Sequence, residues 1–501
     1  MFVDANTVAP STTLHADVCV VGAGPAGIVL ALELAQAGLH VLLIESGKTV
    51  FDSDAQTQGD AAIADSARHA PLSQATRRQF GGTSAIWGGR CVPFDPIDFE
   101  ARGHVPNSAW PIPYSEMAKH YSRACEYAGC GPAVFDSSAA LSGPQTTIAP
   151  GLPDGAVTSS RLERWSSPTD FGKRYHDDIA RHRLIICLLN ATCTSIDFSD
   201  NPQSVALLSL STPGGGRLSA KGRLYALAGG GIATTRLLLA SNQVHRAGLG
   251  NFGGKLGRFY MGHISGKIAD IQFSTDPDRT IFGFERDRTG SYCRKRLAIS
   301  EGQQKAHGLL NCALWLDNPK LADPDHRNGI LSLAVLALST PMLSRRLAPE
   351  AIVSAAIDRS GKIPWTPHLL NILRDLPSVM AFAPTFVYKR YFSKQRIPGF
   401  FVRSASNIYA LHYHAEQLAN EESHIRLGND LDALGVRRAI VDLRFTQSDA
   451  ESVARTHWLL DSHLRTHGCG QLIYRFTDLH SAILNQARDG FHQIGTTRMS
   501  A

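Results

Sequence analysis

The chain has 501 residues, 43% of them hydrophobic and 19% charged, with a formal net charge of +6. That length and balance fit a globular protein of two domains better than a single core. The positive charge is spread out with no long basic run, which leaves nucleic acid without support as a partner, and the most apolar stretch, Ile330 to Leu338, is far too short to span a bilayer.

The amino terminus has no basic segment leading into an apolar one, so no secretory signal is expected. Nine scattered cysteines without a CxxC pair read as reduced thiols of a cytoplasmic protein, and no metal site is expected. Asp17 to Val21 is a short apolar run suited to a buried parallel strand. It leads into Gly22-Ala23-Gly24-Pro25-Ala26-Gly27, an apolar helix to Ala37, a second apolar run from His40 to Ile44, and then Glu45 and Ser46. This arrangement reads as a dinucleotide site. Gly22 allows the tight turn, Gly24 lets backbone approach a pyrophosphate, and Gly27 permits close packing of helix on strand. The helix start supplies free N–H groups to an anion, with Pro25 and Ala26 at that end. Glu45 is placed to accept hydrogen bonds from ribose hydroxyls, which disfavours a 2′-phosphate and hence NADP. This fingerprint does not separate FAD from NAD.

Further along, Phe80-Gly81-Gly82-Thr83-Ser84-Ala85-Ile86-Trp87-Gly88-Gly89 is a glycine-rich loop with small hydroxyl residues, able to lie flat against a planar ligand. Lys221 to Gly231, containing Gly229 and Gly230, precedes a helix-like Ala233 to Ala240 and reads as a second strand–glycine–helix return. Pro213 to Gly216 reads as a loop tip between strands. His263 to Phe273 alternates and should begin a second sheet. From about 330 to 396 the pattern is helical with proline punctuation, ending in an aromatic-basic run from Phe386 to Arg396. A surface helix with snorkelling basic residues is the preferred reading there, and membrane-surface contact or electron delivery to a quinone the lesser one. His412 and His414 share one face of an extended strand, where they line a pocket or serve no special role. Ser423 to Leu427 and Ala439 to Phe445 read as two strands around a turn, and the amphipathic Glu451 to Leu464 is expected to pack on the sheet begun by His263 to Phe273. His492-Gln493-Ile494-Gly495-Thr496 closes the series.

Taken together, the islands Phe80–Gly89, Asp98-Phe99, Trp110–Tyr114, Ala228–Gly230 with Arg236–Ser241, Gly248–Asn251, Gly257-Arg258 with His263, and His492–Met499 resemble the glucose–methanol–choline (GMC) oxidoreductases. The resemblance implies an α/β chain, α+β overall. An interrupted Rossmann-like FAD-binding domain (13–100, 175–262 and 485–501) is joined to a substrate domain of antiparallel sheet and helices (101–174 and 263–484). It implies FAD held by Gly22, Gly24, Pro25, Ala26, Gly27, Glu45, Ser46, Gly81, Gly82, Thr83, Ser84, Trp87, Gly88, Gly229 and Gly230. Some relatives attach the flavin through a histidine just before this tryptophan. Ile86 stands there, so the FAD is expected to be non-covalent. His492 matches the family's H-x-x-G-T histidine, which takes the hydroxyl proton of an alcohol, sugar or polyol while hydride leaves for flavin N5; an imidazole with an ordinary pKa near ~6.5 suits that task. Oxygen, a quinone or a cytochrome would be the electron acceptor. In the family a further stretch of about fifty residues follows this segment and carries a second polar catalytic group, so a truncated carboxyl terminus is expected here. An inactive, non-catalytic remnant and an NAD-dependent dehydrogenase are the two rival readings.

Overall fold

Strand Val18–Val21 alternates between two buried environments. Val18 and Val20 pack with Ile28, Ala31 and Leu32 of helix Pro25–Gln36. Cys19 instead joins Leu42, Ile44 and Leu188 against Ile196, Leu208, Leu210 and Leu218 of a second sheet. A strand covered on both faces has no polar side to show, which is why the sequence reads as a continuous apolar run. The computed structural model describes residues 1–166, 170–199, 204–347, 353, 357 and 363–499. Parts of the predicted helical stretch and the final two residues of the predicted FAD-binding part, 500–501, fall outside them.

The first sheet is wholly parallel, in the order Phe2–Asp4, Ile185–Leu189, Val41–Ile44, Val18–Val21, Leu224–Leu227. Its covering layer has the order Thr192–Phe198, Val205–Ser211, Arg217–Lys221, Thr13–His15. Phe2–Asp4 adds an edge strand to the parallel sheet, paired with Cys187–Leu189. Three residues are too few to show a period, and Phe2 is held by its ring packing on Phe80 at 5.0 Å. Tyr127 and Phe171 pack in the same core as helix Pro25–Gln36.

The second large sheet is antiparallel, ordered Gly470–Tyr474, His263–Phe273, Ile408–Glu416, Cys312–Asp317, Leu297–Ile299, Val157–Thr158. Its apolar face carries Ile264, Ile271, Leu314, Leu411 and Tyr413 under Val453, Leu460 and Leu464 of helix Gln447–Thr466. A buried side chain of this size is worth about 1.5–3 kcal/mol, so this face fixes the sheet's orientation. The helix therefore lies on this sheet, as its amphipathic pattern leads one to expect. The hairpin of His424–Leu431 and Arg437–Asp442 places Ile425, Ala439 and Val441 beside Ile232 of helix Gly231–Ala240. Arg236 clamps that contact, reaching the Asp432 carboxylate at 2.6 Å and the carbonyls of Val436 and Arg437 at 2.9 and 2.8 Å. After strand Cys312–Asp317, helices Pro341–Leu347, Trp365–Arg374 and Leu376–Val387 form a lobe by packing on helix Gly329–Ser339.

Candidate active site

A cavity of about 2010 Å³ runs from the glycine loops of the parallel sheet to the polar face of the antiparallel one. Ordinary small-molecule pockets are ~300–1,000 Å³, so a dinucleotide and a substrate have room together. Gly22, Gly24, Pro25, Ala26, Glu45, Ser46, Gly82, Thr83, Ser84, Trp87, Gly88, Gly229, Gly230 and His492 all line it. Gly27 and Gly81 do not. A Cβ on Gly27 would lie 1.9 Å from the Gly22 carbonyl oxygen, and one on Gly81 would lie 2.4 Å from the Gly172 nitrogen. Both glycines set close packing behind the cavity wall.

At the nucleotide end, helix Pro25–Gln36 begins at Gly24 with no side-chain cap, as helix Gly231–Ala240 does at Gly230. Their first N–H groups thus point to an uncapped helix end that favours an anion. A Cβ on Gly24, Gly88 or Gly230 would meet nothing within 4 Å, so these walls border open space. Arg78 lines the same space, with its Nε buried and unpartnered. An uncapped helix start with an unspent guanidinium N–H is a donor set that suits a pyrophosphate. Glu45 is more occupied than its sequence position suggested. Its Oε2 accepts the Ala23 N–H at 2.9 Å and its Oε1 the Gly47 N–H at 2.8 Å, tying the first loop to the second strand. One lone pair on Oε2 is left for a ribose hydroxyl. The Ser84 hydroxyl is likewise spent within its loop, donating to the Gly81 carbonyl at 2.6 Å and accepting from the Phe171 N–H at 2.9 Å.

The His492 segment is pinned between the two halves. Met261 and Ile494 exchange backbone bonds of 2.9 and 3.2 Å, and Thr235 donates to Thr496 Oγ1 at 2.8 Å. His492 Nδ1 lies 3.2 Å from Oδ2 of Asp489, which is 4% exposed. Burial alone would raise the Asp489 pKa. The hydrogen bond and charge of His492, with His263 beside it, outweigh that and hold the carboxyl below its usual range. Asp489 Oδ1 also accepts the backbone N–H groups of Phe491 and His492 at 2.8 and 3.3 Å, and Oδ2 accepts that of His263.

Around His492 stand residues that sequence reasoning did not bring together. The His263 ring is 4.5 Å from His492 and 5.3 Å from His414, and His412 stacks on Trp315 at 4.4 Å. Burial, reinforced by the neighbouring His492, pushes His263 down to about 4. Burial and the Arg90 charge drive His414 well below its usual value. Both imidazoles are therefore neutral near pH 7. Arg90 lies over the Trp315 ring at 4.7 Å with Nη2 3.3 Å from His414 Nδ1. Asp317 pairs with Lys267 at 2.8 Å and with His412 at 3.4 Å. Burial opposes its charge, but these two partners hold its carboxyl far below the usual range. The arrangement offers one oriented, half-exposed imidazole beside neutral ring donors and acceptors, which suits moving one proton on a small hydroxyl compound.

Residues 15–58 match the FAD binding domain family. The amino-terminal unit binds FAD. The islands that resemble the GMC oxidoreductases reach from Phe80 to Met499. The 2-methyl-1,2-propanediol dehydrogenase of Mycolicibacterium austroafricanum is 23% identical over 325 residues, which is 51% of this chain and 56% of that protein. The chain thus aligns with little more than half the length of this curated relative. Among solved structures, pyridoxine 4-oxidase from Mesorbium loti gives a TM-score of 0.47 at 14% identity, covering 97% of this chain and 89% of its own. A fungal aryl-alcohol oxidase gives 0.45 at 12%, covering 95% and 89%.

Proposed function

We propose that the protein oxidises a CH–OH group of a small alcohol, sugar or polyol with non-covalent FAD, using His492 as the base. The observation that carries this is the His492–Asp489 pair, which faces the same cavity as the FAD-binding loops. When bound there, FAD supplies the hydride acceptor through N5 of its ring. The chain's own residues do the rest. Asp489 holds the Nδ1–H of His492, which turns Nε2 toward the cavity as the atom to take the substrate hydroxyl proton. His263 and His414, held neutral, present ring nitrogens to the hydroxyl without adding charge that would repel the proton leaving for His492. Uncapped backbone at Gly24 and Gly230, with Arg78, holds the pyrophosphate end. A cytoplasmic location is part of this reading, in keeping with nine free thiols.

The test is the visible absorbance of the purified chain, followed anaerobically as a panel of alcohols and sugars is added. Bleaching by a particular donor establishes the activity, and a His492→Ala protein that keeps its FAD should then bleach about 10²–10⁴ times more slowly. Yellow protein that no donor bleaches would count against the reading and favour a non-catalytic descendant. Reoxidation rates with oxygen, a soluble quinone and a cytochrome then identify the acceptor.

A further inference from the structure

Helix Trp365–Arg374 is amphipathic in the inverse sense. Its buried positions are polar. His368 Nδ1 lies 3.0 Å from the Ser332 hydroxyl, and Asn371 donates to the Pro324 carbonyl at 2.8 Å. Its outer face is apolar, with Trp365, Leu369 and Leu373 at successive turns, 44%, 49% and 67% exposed. Helix Leu376–Val387 prolongs the stripe with Leu376 and Met380, 45% and 66% exposed. A surface helix that only needs to close a core turns its apolar stripe inward. Of the 27 large hydrophobic side chains exposed among the described residues, 11 lie between Met342 and Phe392.

We infer that this lobe is a docking surface for an anionic lipid bilayer. Residues 363–396 hold five basic residues and a single acid, Asp375, whose carboxylate is turned inward to the Gly329 N–H at 3.1 Å. Arg374, Lys389 and Lys394 of this segment are exposed. Trp, Leu, Met and Phe ringed by Lys and Arg is the composition of a segment that lies in the headgroup region. No helix among the described residues is long and apolar enough to cross a membrane, so the mode is surface binding. Charge selects the occupant. A second copy would set this basic rim against its own like, whereas an anionic leaflet complements it. Snorkelling basic residues explain the charges alone and leave the outward stripe without a role. Arg390, Pro398 and Phe401 line the large cavity, so a docked lobe holds one side of that cavity close to the lipid surface.

The full chain is tested by cosedimentation with phosphatidylcholine vesicles, with and without phosphatidylglycerol. Pelleting is expected with the anionic vesicles, falling as salt is added. The Leu369→Glu/Leu373→Glu protein should bind at least about tenfold more weakly. Lys389→Glu and Lys394→Glu should each cost about fivefold or more. All four side chains are solvent-exposed, so circular dichroism should be unchanged in these variants. Failure to pellet with either vesicle would overturn the proposal, as would equal binding by the Leu369→Glu/Leu373→Glu protein. A dimer in vesicle-free buffer that these substitutions abolish, without vesicle binding, would give the face to a second copy and also overturn it. None of these readouts requires turnover, so the proposal stands or falls apart from the catalytic reading.

Discussion

Replacing Asp489 by Asn tests the proposed base through the residue that orients it. The carboxylate accepts four bonds, from His492 Nδ1 and the His263 N–H on one oxygen and from the Phe491 and His492 N–H groups on the other. An amide has one acceptor oxygen and one donor nitrogen. With its oxygen toward Phe491 and His492, it strands only the His263 N–H; turned round, it strands two backbone donors. Each stranded donor costs about 1–3 kcal/mol, so the first orientation is favoured. That orientation points an NH₂ at His492 Nδ1, which must then accept, and the ring proton moves to Nε2. The imidazole can no longer take a proton from the substrate. A wrong tautomer of this kind costs about 10⁴ in rate in the serine-protease triad, where the equivalent Asp→Asn change has been measured, and about 10³–10⁴ is the expected loss here. The assay is anaerobic single-turnover reduction of bound FAD by the best donor of the panel, in wild type, Asp489→Asn and His492→Ala. Stability should fall by only about 1–3 kcal/mol, so the variant is folded when assayed. Wild-type reduction by Asp489→Asn, beside a slow His492→Ala, would refute the idea that Asp489 sets the tautomer.

Three further outcomes follow from the same geometry. Gly24→Val fills open space at the cavity wall, where a Cβ meets nothing within 4 Å. The apoprotein Tm should hold while FAD affinity falls at least about tenfold, or about 1.4 kcal/mol; an unchanged FAD titration would exclude Gly24 from the cofactor site. Arg236→Met leaves Asp432, whose side chain is 1% exposed, without its partner. A loss of about 3–5 kcal/mol is expected in urea denaturation, and a loss under about 1 kcal/mol would mean the clamp does not join hairpin to helix. His263 takes up a proton near about 4 when folded and near ~6.5 when unfolded. The unfolded chain therefore binds more protons as pH falls, and stability drops from about pH 6.5 down to about pH 4, by roughly 3 kcal/mol from this residue. His414, lowered by the same causes, adds to the loss in the same direction. Denaturation at pH 7, 5 and 4 checks this, and His263→Gln should flatten the profile.

The nucleotide end was legible because its signals are local. The strand, glycines, helix and acid of residues 17–45 lie in one unbroken run, and each glycine needed for the turn or the packing has a neighbour inside that run or its mirror at Gly229-Gly230. Long-range contacts carry no such local signal. Phe2–Asp4 finds its partner at Cys187–Leu189. Helix Gln447–Thr466 could cover any sheet by its own pattern, and the choice was made by Ile264, Leu411 and Leu464 filling one core. Asp489 gave a faint signal, an acid three residues before the suspected base, but nothing local says that its carboxylate turns back to His492. The outward stripe of the helical lobe could not be read at all, since periodicity reveals an apolar face without saying which way it points.

The histidine cluster shows how the two kinds of information combine. In Ile408–Glu416 the buried positions Tyr409, Leu411, Tyr413 and Ala415 alternate with His412, His414 and Glu416. The period of two assigns the histidines to one face, and it was visible in the sequence. Pairing decides what that face contains. His414 lies opposite Ser265 on one side and Ala313 on the other, His412 opposite Trp315, and His263 opposite Glu416. One face of three strands thereby gathers His263, Ser265, Trp315, Asp317, His412 and His414 at the cavity wall. The opposite face holds Ile264, Leu314, Leu316, Leu411 and Tyr413 against helix Gln447–Thr466. Slipping Ile408–Glu416 by one residue would drive His412 and His414 into that apolar core, where each ring would need partners the helix does not offer. The core therefore enforces the register that builds the site. Substitutions at Leu411 or Tyr413, although they never touch the cavity, should disturb catalysis wherever they loosen this sheet.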